Sequence, residues 1–335
     1  DWGLSPHTGL WMSLATGDFD GDGRLDLMAG NWGRNSEYEL HPPGRTGLFF
    51  DPKPSGDGPA GLEAWEENGS WYPVRDRNRL AFHWPEVIAR APTHAAFGQA
   101  TVDQLLAGRL DRYQRLEAAT LESSVFLNRG RQFERQTLPA AAQLSPVVSA
   151  TVGDLDADGH EDLFLGQNTL HTGSTLTRLD AGCGLWLRGR GDGTFEALDP
   201  AATGIDLSGA QRGAALADFN QDGRIDLAVS QNGGPTRLFI NRHPHRGLRV
   251  RLTGPPVNPS AVGAALRLRY SDGTSGPVRT IQMGSGSGSQ NGAVQVLGLA
   301  RPRATLQVRW PDGRQESVDV NAEQWDRSLR HPSAR

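Results

Sequence analysis

Three segments of the chain repeat one arrangement of oxygen-bearing side chains. In the first, Asp18, Asp20, Asp22 and Asp26 stand at loop positions 1, 3, 5 and 9, with Gly23 at position 6 and Arg24 at position 7. The second has Asp154, Asp156, Asp158 and Asp162, with Gly159 and His160. The third has Asp218, Asn220, Asp222 and Asp226, with Gly223 and Arg224. Hard Ca²⁺ takes about six to eight oxygen ligands. A tightly wound loop turns alternate side chains inward, so positions 1, 3 and 5 converge, and the glycine permits the sharp turn. Position 7 would offer its backbone carbonyl, which tolerates any side chain, and position 9 would close the shell. Without a cation the clustered carboxylates repel one another. The pattern predicts about three Ca²⁺ sites; the bland alternative is an acidic, solvated turn.

The elements that hold these loops are strands. An EF-hand needs a bidentate Glu at position 12 and flanking helices, whereas position 12 here is Ala29, Leu165 and Val229. The runs 25–29, 162–165 and 225–229 are short and apolar or alternating, as strands are. An aromatic–aliphatic strand follows later in each unit, at 124–128, 184–188 and 236–240, the first two leading to Phe133 and Phe195. Four strands per repeat make a propeller blade.

These units resemble FG-GAP/VCBS repeats, the calcium-loop blades of integrin-α-type β-propellers, over roughly residues 1–242. Residues 213–220, Gly-Ala-Ala-Leu-Ala-Asp-Phe-Asn, fit the strand that gives the repeat its name. The resemblance implies loops that brace blades. Residues 71–77, 120–128 and 138–146 are similar to a bacterial subgroup in which an insertion lies between blades and the chain ends in an ASPIC/UnbV domain. Residues 246–320 resemble that domain through 247–254, 258–268 and 308–314. Their alternating Leu-Arg strands predict a small β-sandwich or barrel.

The fold expected is therefore all-β. A propeller covers 1–242 with a mainly helical insertion at about 76–118, a β domain covers 243–320, and 321–335 is a C-terminal tail. Loops two and three start 64 residues apart, at 154 and 218, which is one blade. Loops one and two start 136 apart, at 18 and 154, enough for two blades or one blade plus an insertion. Residues 48–58, including Asp57, read as a decayed loop without an ion. This leaves three to four blades, against about four to eight in closed propellers. Missing N-terminal blades, upstream or on a partner, or a compact four-blade closure would reconcile the count.

Composition narrows the function. A net charge of -4 argues against nucleic acid as a partner, and no apolar run is long enough to span a membrane. Cys183 is the single cysteine, so a disulfide scaffold is excluded. The nine His form no zinc spacing, and His243 and His245 read as surface residues. Residues 284–292, rich in Gly and Ser, lack the Lys of a phosphate loop and precede a strand, so they read as a flexible, mobile connector. Trp2, Trp11 and Trp32, and then Trp65, Trp71 and Trp84, read first as core and second as a stacking surface.

No residue set carries a catalytic role, so no enzyme is expected. The expected function is a calcium-stabilised, exported scaffold, in the periplasm, on the cell surface or secreted. It would dock on a protein in an envelope or extracellular assembly. The alternative is a carbohydrate-binding or polysaccharide-uptake accessory with glycan as ligand. A propeller lyase or hydrolase rests on fold analogy alone.

Overall fold

The computed structural model describes residues 2–40, 45–54, 58–169, 178–286 and 288–334. The first loop joins β1 (Ser13–Gly17) to β2 (Asp26–Gly30), which pair antiparallel with Gly17 opposite Asp26. The chain then leaves the blade. It forms β3 (Thr46–Phe50), β4 (Gly61–Glu67) and β5 (Ser70–Pro73). Four short helices follow: α1 (Arg77–His83), α2 (Glu86–Arg90), α3 (His94–Gln99) and α4 (Val102–Leu105). After β6 (Gln114–Ala118) the chain returns as β7 (Ser124–Asn128) and β8 (Phe133–Thr137). The first blade is the sheet β1-β2-β7-β8.

The insertion thus interrupts a blade between its second and third strands, instead of lying between blades as the resemblance implied. It is also broader than a helical excursion. The helices pack on their own four-stranded sheet, β5-β4-β3-β6, around Phe49, Leu62, Trp84, Val87, Leu105 and Leu106. Pro85 and Pro92 stand between successive helices, where each removes a backbone donor. Asp76 caps α1, and Thr101 with Gln104 forms a capping box on α4. Residues 48–50 of the expected decayed loop belong to strand β3, and Asp57 lies outside the described residues.

The second blade is a meander of β9 (Val147–Gly153), β10 (Asp162–Gln167), β11 (Leu185–Gly189) and β12 (Phe195–Ala197). After α5 (Pro200–Thr203), the third blade has three strands among the described residues: β13 (Ala210–Ala217), β14 (Asp226–Asn232) and β15 (Gly234–Phe239). Met28, Val125 and Leu127 of the first blade pack on Leu163, Leu165 and Leu187 of the second. Phe164 of the second packs with Ala214, Leu227 and Val229 of the third. Burying each such side chain contributes about 1.5–3 kcal/mol. Strand β10, covered on both faces, is buried throughout, while β15 on the last blade is almost wholly exposed. The described residues hold three blades, and no four-blade closure is formed among them.

The C-terminal domain has β16 (Leu248–Thr253), β17 (Ala265–Tyr270), β18 (Arg279–Thr280), β19 (Gln295–Leu297), β20 (Arg303–Arg309), β21 (Gln315–Asn321) and β22 (Asp326–Arg330). Sheets β19-β16-β22 and β18-β17-β20-β21 enclose Trp310, Leu248, Leu266 and Leu306 as a sandwich. The expected tail at 321–335 is corrected here: β22 pairs in parallel with β16, from Arg249 opposite Asp326 to Thr253 opposite Arg330. The Gly-Ser connector is likewise tied down. Asn291 Oδ1 accepts from Thr151 Oγ1 and from the N–H of Leu216, each at 2.9 Å, bridging β9 and β13.

Trp84 is buried in the insertion, and Trp71 meets Phe49 edge-on. Trp11 does the same with Phe126, while Trp2 stays 53% exposed beside Phe133.

Candidate metal centre

Each loop leaves its first strand at position 1 and enters its second at position 9. Gly23, Gly159 and Gly223 all adopt positive φ (90°, 94° and 80°), so the expected turn at position 6 is present three times. The N–H of that glycine donates to Oδ2 of the position 1 aspartate at 3.1 Å in the first loop, 3.0 Å in the second and 3.2 Å in the third. The N–H of position 7, on Arg24, His160 and Arg224, donates to the position 5 carboxylate at 2.8–3.0 Å.

Positions 1, 3 and 5 come together. One ligand atom from each of Asp18, Asp20 and Asp22 falls within a 4.8 Å cluster, and the same holds for Asp154, Asp156 and Asp158. In the third loop Asn220 replaces the middle carboxylate, and its Nδ2 donates to Asp222 Oδ2 at 3.0 Å.

Position 9 accepts backbone donors through both of its oxygens. Asp26 Oδ2 accepts the N–H of Phe19 at 2.8 Å, and its Oδ1 accepts that of Asn128 at 2.7 Å. Asp162 takes Leu155 and Gly189 at 2.9 and 2.8 Å; Asp226 takes Phe219 and Asn241, both at 2.8 Å. Here the carboxylate ties loop position 2 to the end of the third strand, or in the third blade to Asn241, two residues beyond it. It acts as a brace between these parts of the blade.

The electrostatics suit a cation. Burial, then the neighbouring Asp20 and Asp18, push Asp26 up to about 6. Burial pushes Asp154 up to about 7, with Asp158, Asp156 and Glu161 adding to the rise against Arg279. Asp18, Asp156 and Asp162 are raised as well, burial being the largest cause in each. Asp18 Oδ1 is buried and receives no hydrogen bond. A divalent ion suits this donor set: hard oxygens, one of them unsatisfied, and clustered negative charge. Nearby arginines offset part of this charge. Arg129 pairs with Asp20, and Arg188 lies 2.7 Å from Asp156 and 3.1 Å from Asp158. Both are well exposed, and such pairs are worth about 0–1 kcal/mol.

Residues 10–37, which hold the first loop, match the FG-GAP repeat model, and residues 254–333 match the model for ASPIC and UnbV. The chain carries an FG-GAP repeat and an ASPIC/UnbV domain. The ASPIC/UnbV match runs through β22, in accord with that strand's place in the sandwich. Cartilage acidic protein 1 of Homo sapiens is 32% identical over 123 residues, 34% of this chain and 18% of that protein. The Mus musculus protein is 26% identical over 195 residues, covering 57% of this chain and 29% of its own length. The Xenopus tropicalis protein is 41% identical over 63 residues, 18% of this chain and 10% of its own. The FG-GAP/UnbV chain therefore aligns with less than a third of each of these relatives.

Several residues of the site lie outside the loop pattern. Asn128 and Asn241 each follow an aromatic–aliphatic strand and precede an Arg, a shared signal that the sequence does hold. Asn241 Nδ2 also donates to the carbonyl of Leu155 in the preceding blade at 2.7 Å. Glu161, at position 8 of the second loop, is buried and receives Arg279 Nε at 2.8 Å. The ASPIC/UnbV residues that reach the loops carry no such signal.

Proposed function

We propose that this FG-GAP/UnbV chain is a non-catalytic, calcium-braced scaffold that binds another protein outside the cytoplasm. The observation that carries the reading is the thrice-repeated brace at position 9. In each blade the acidic loop fastens strand ends together, which is a structural use of a metal site. The space beside the inner strands supports the same view. Its polar groups satisfy one another: Gln282 Nε2 donates to Thr16 Oγ1 at 2.7 Å, and Arg279 pairs with buried Glu161. No helix among the described residues is long and apolar enough to cross a membrane.

A protein partner fits the exposed apolar groups of the last blade. Phe19 at loop position 2 is 2% exposed and meets Phe195 of the next blade at 5.5 Å. Its counterpart Phe219 has no following blade among the described residues and is 68% exposed; Leu238 and Ile240 of the same blade are exposed as well. Exposed apolar side chains of this kind on a terminal blade are suited to a protein contact. Export suits the loops, because millimolar external calcium fills even weak sites. The test is calorimetric titration with CaCl₂ and thermal melting with and without EGTA. Calcium binding with a clear rise in Tm supports the brace; an unchanged Tm sinks it. Binding on a glycan array by the calcium-loaded protein would favour the carbohydrate reading, for which exposed Trp2 is the main support.

A further inference from the structure

The ASPIC/UnbV domain contacts the three loops in one repeated way. In each loop the outer oxygen of the position 1 aspartate, Oδ2, receives two donors. One is the loop's own glycine N–H. The other comes from the C-terminal domain. The N–H of Val278 reaches Asp18 at 2.7 Å, the N–H of Gly298 reaches Asp154 at 3.0 Å, and Arg249 Nε reaches Asp218 at 2.8 Å. These donors come from three separate parts of the sandwich, so the coincidence does not arise from one local turn.

The fit is close at every point. A Cβ on Gly298 would stand 2.0 Å from Asp154 Oδ2 and 2.6 Å from the N–H of Gly159, so only glycine admits the approach. The Arg249 and Asp218 side chains are almost fully buried against each other, with exposures of 6% and 0%. Arg267 donates to the carbonyl of Gly21 in the first loop at 2.7 Å. Gly247 N–H donates to the carbonyl of Gly223 in the third at 2.8 Å.

We infer that the ASPIC/UnbV domain is the outer hydrogen-bond shell of the calcium loops, so that ion loading and docking of this domain form one linked equilibrium. The inference rests on the calcium reading above. Donors on the outer oxygen hold the carboxylate so that Oδ1 faces the loop interior; in the first loop that oxygen is the buried one without a partner. Groups that orient a metal's ligands commonly change affinity ~10–100-fold when removed. Linkage makes the effect mutual: whatever docking adds to calcium affinity, calcium adds to docking. Val278, Gly298 and Arg249 are positioning residues for three different sites.

The test uses the whole chain and calcium alone. Gly298→Ala is expected to weaken one site at least tenfold and leave the others within about twofold. Arg249→Gln is expected to weaken a different site, with Arg249→Lys recovering part of the loss. In the unmodified protein, hydrogen exchange at Val278, Gly298 and the start of β16 is expected to speed up at least tenfold in EGTA, while β4 of the insertion stays unchanged. This last measurement decides the matter if the variants fail to fold. Calcium binding with no change in exchange at those amides overturns the inference and leaves the calcium reading standing. So do folded variants that bind calcium as the unmodified protein does. No calcium binding at all overturns both.

Discussion

Asp26 accepts the backbone N–H of Asn128 at 2.7 Å, although the whole insertion separates them in sequence. Through its other carboxylate oxygen it also holds the N–H of Phe19. The loop, the second strand and the end of the third strand thus meet on one carboxylate, and the other two blades repeat the arrangement with Asp162 and Asp226. Asp162→Ala is expected to cost about 3 kcal/mol in urea unfolding at saturating calcium, since it removes two hydrogen bonds to a charged acceptor. Asp162→Asn keeps one acceptor and should lose about half as much. Equal losses for the two variants would argue against the brace.

The raised carboxylates set a pH dependence. Asp26 and Asp154 hold their protons up to about 6 and 7 in the folded chain, against 3.8 for the ordinary group. Between these values the folded state binds more protons than the unfolded one, so stability falls as pH rises. In EGTA, Tm should decline from about pH 4 to pH 7. Saturating calcium should flatten or reverse the slope, because the ion favours the ionised carboxylates. A metal-free Tm that rises across this range would contradict the assignment.

The insertion is expected to be separable. Its sheet closes with Thr46 opposite Ala118, so a short linker can replace 46–118, and its core is its own. The excised protein should keep its calcium stoichiometry and melt within a few degrees of the parent. Loss of calcium binding on excision would show that the first blade depends on it.

Truncation after residue 320 should be severe. It removes β22, exposes the edge of β16 and deletes Asp326, which also pairs with Arg249. A loss of several kcal/mol and aggregation through the bared edge are expected. Normal melting of the truncated chain would restore the tail reading.

The loop phenylalanines give an internal control. Phe19→Ala should cost ~3–4 kcal/mol, as for a buried aromatic. Phe219→Ala, at the same loop position but exposed, should stay within about 0.5 kcal/mol. Equal costs would mean that the last blade is covered in solution.

Much of the site was legible in the chain. Asp18, Asp20 and Asp22 converge because a tight turn brings side chains two residues apart onto one side, and the glycine that permits it is visible in the sequence. The strand character of 25–29 and 162–165 was equally plain, since alternating or continuous apolar runs bounded by turns have few other outcomes. The bracing contact of position 9 was not legible. Spacing places Asp26 near the loop, but its partner Asn128 is chosen by the pairing of β2 with β7.

By itself the sequence determined the three acidic loops, the strands around them and the all-β domains, because each depends on residues close together in the chain. Only the tertiary structure decided that an insertion splits the first blade, that residues 326–330 complete the sandwich, and that Val278, Gly298 and Arg249 reach the loops. Val278 and Asp18 are 260 residues apart, and Gly298 and Asp154 are 144 apart. No local pattern encodes such pairs. They follow from how the cores of the blades and the sandwich pack, which brings one surface of the C-terminal domain against all three loops.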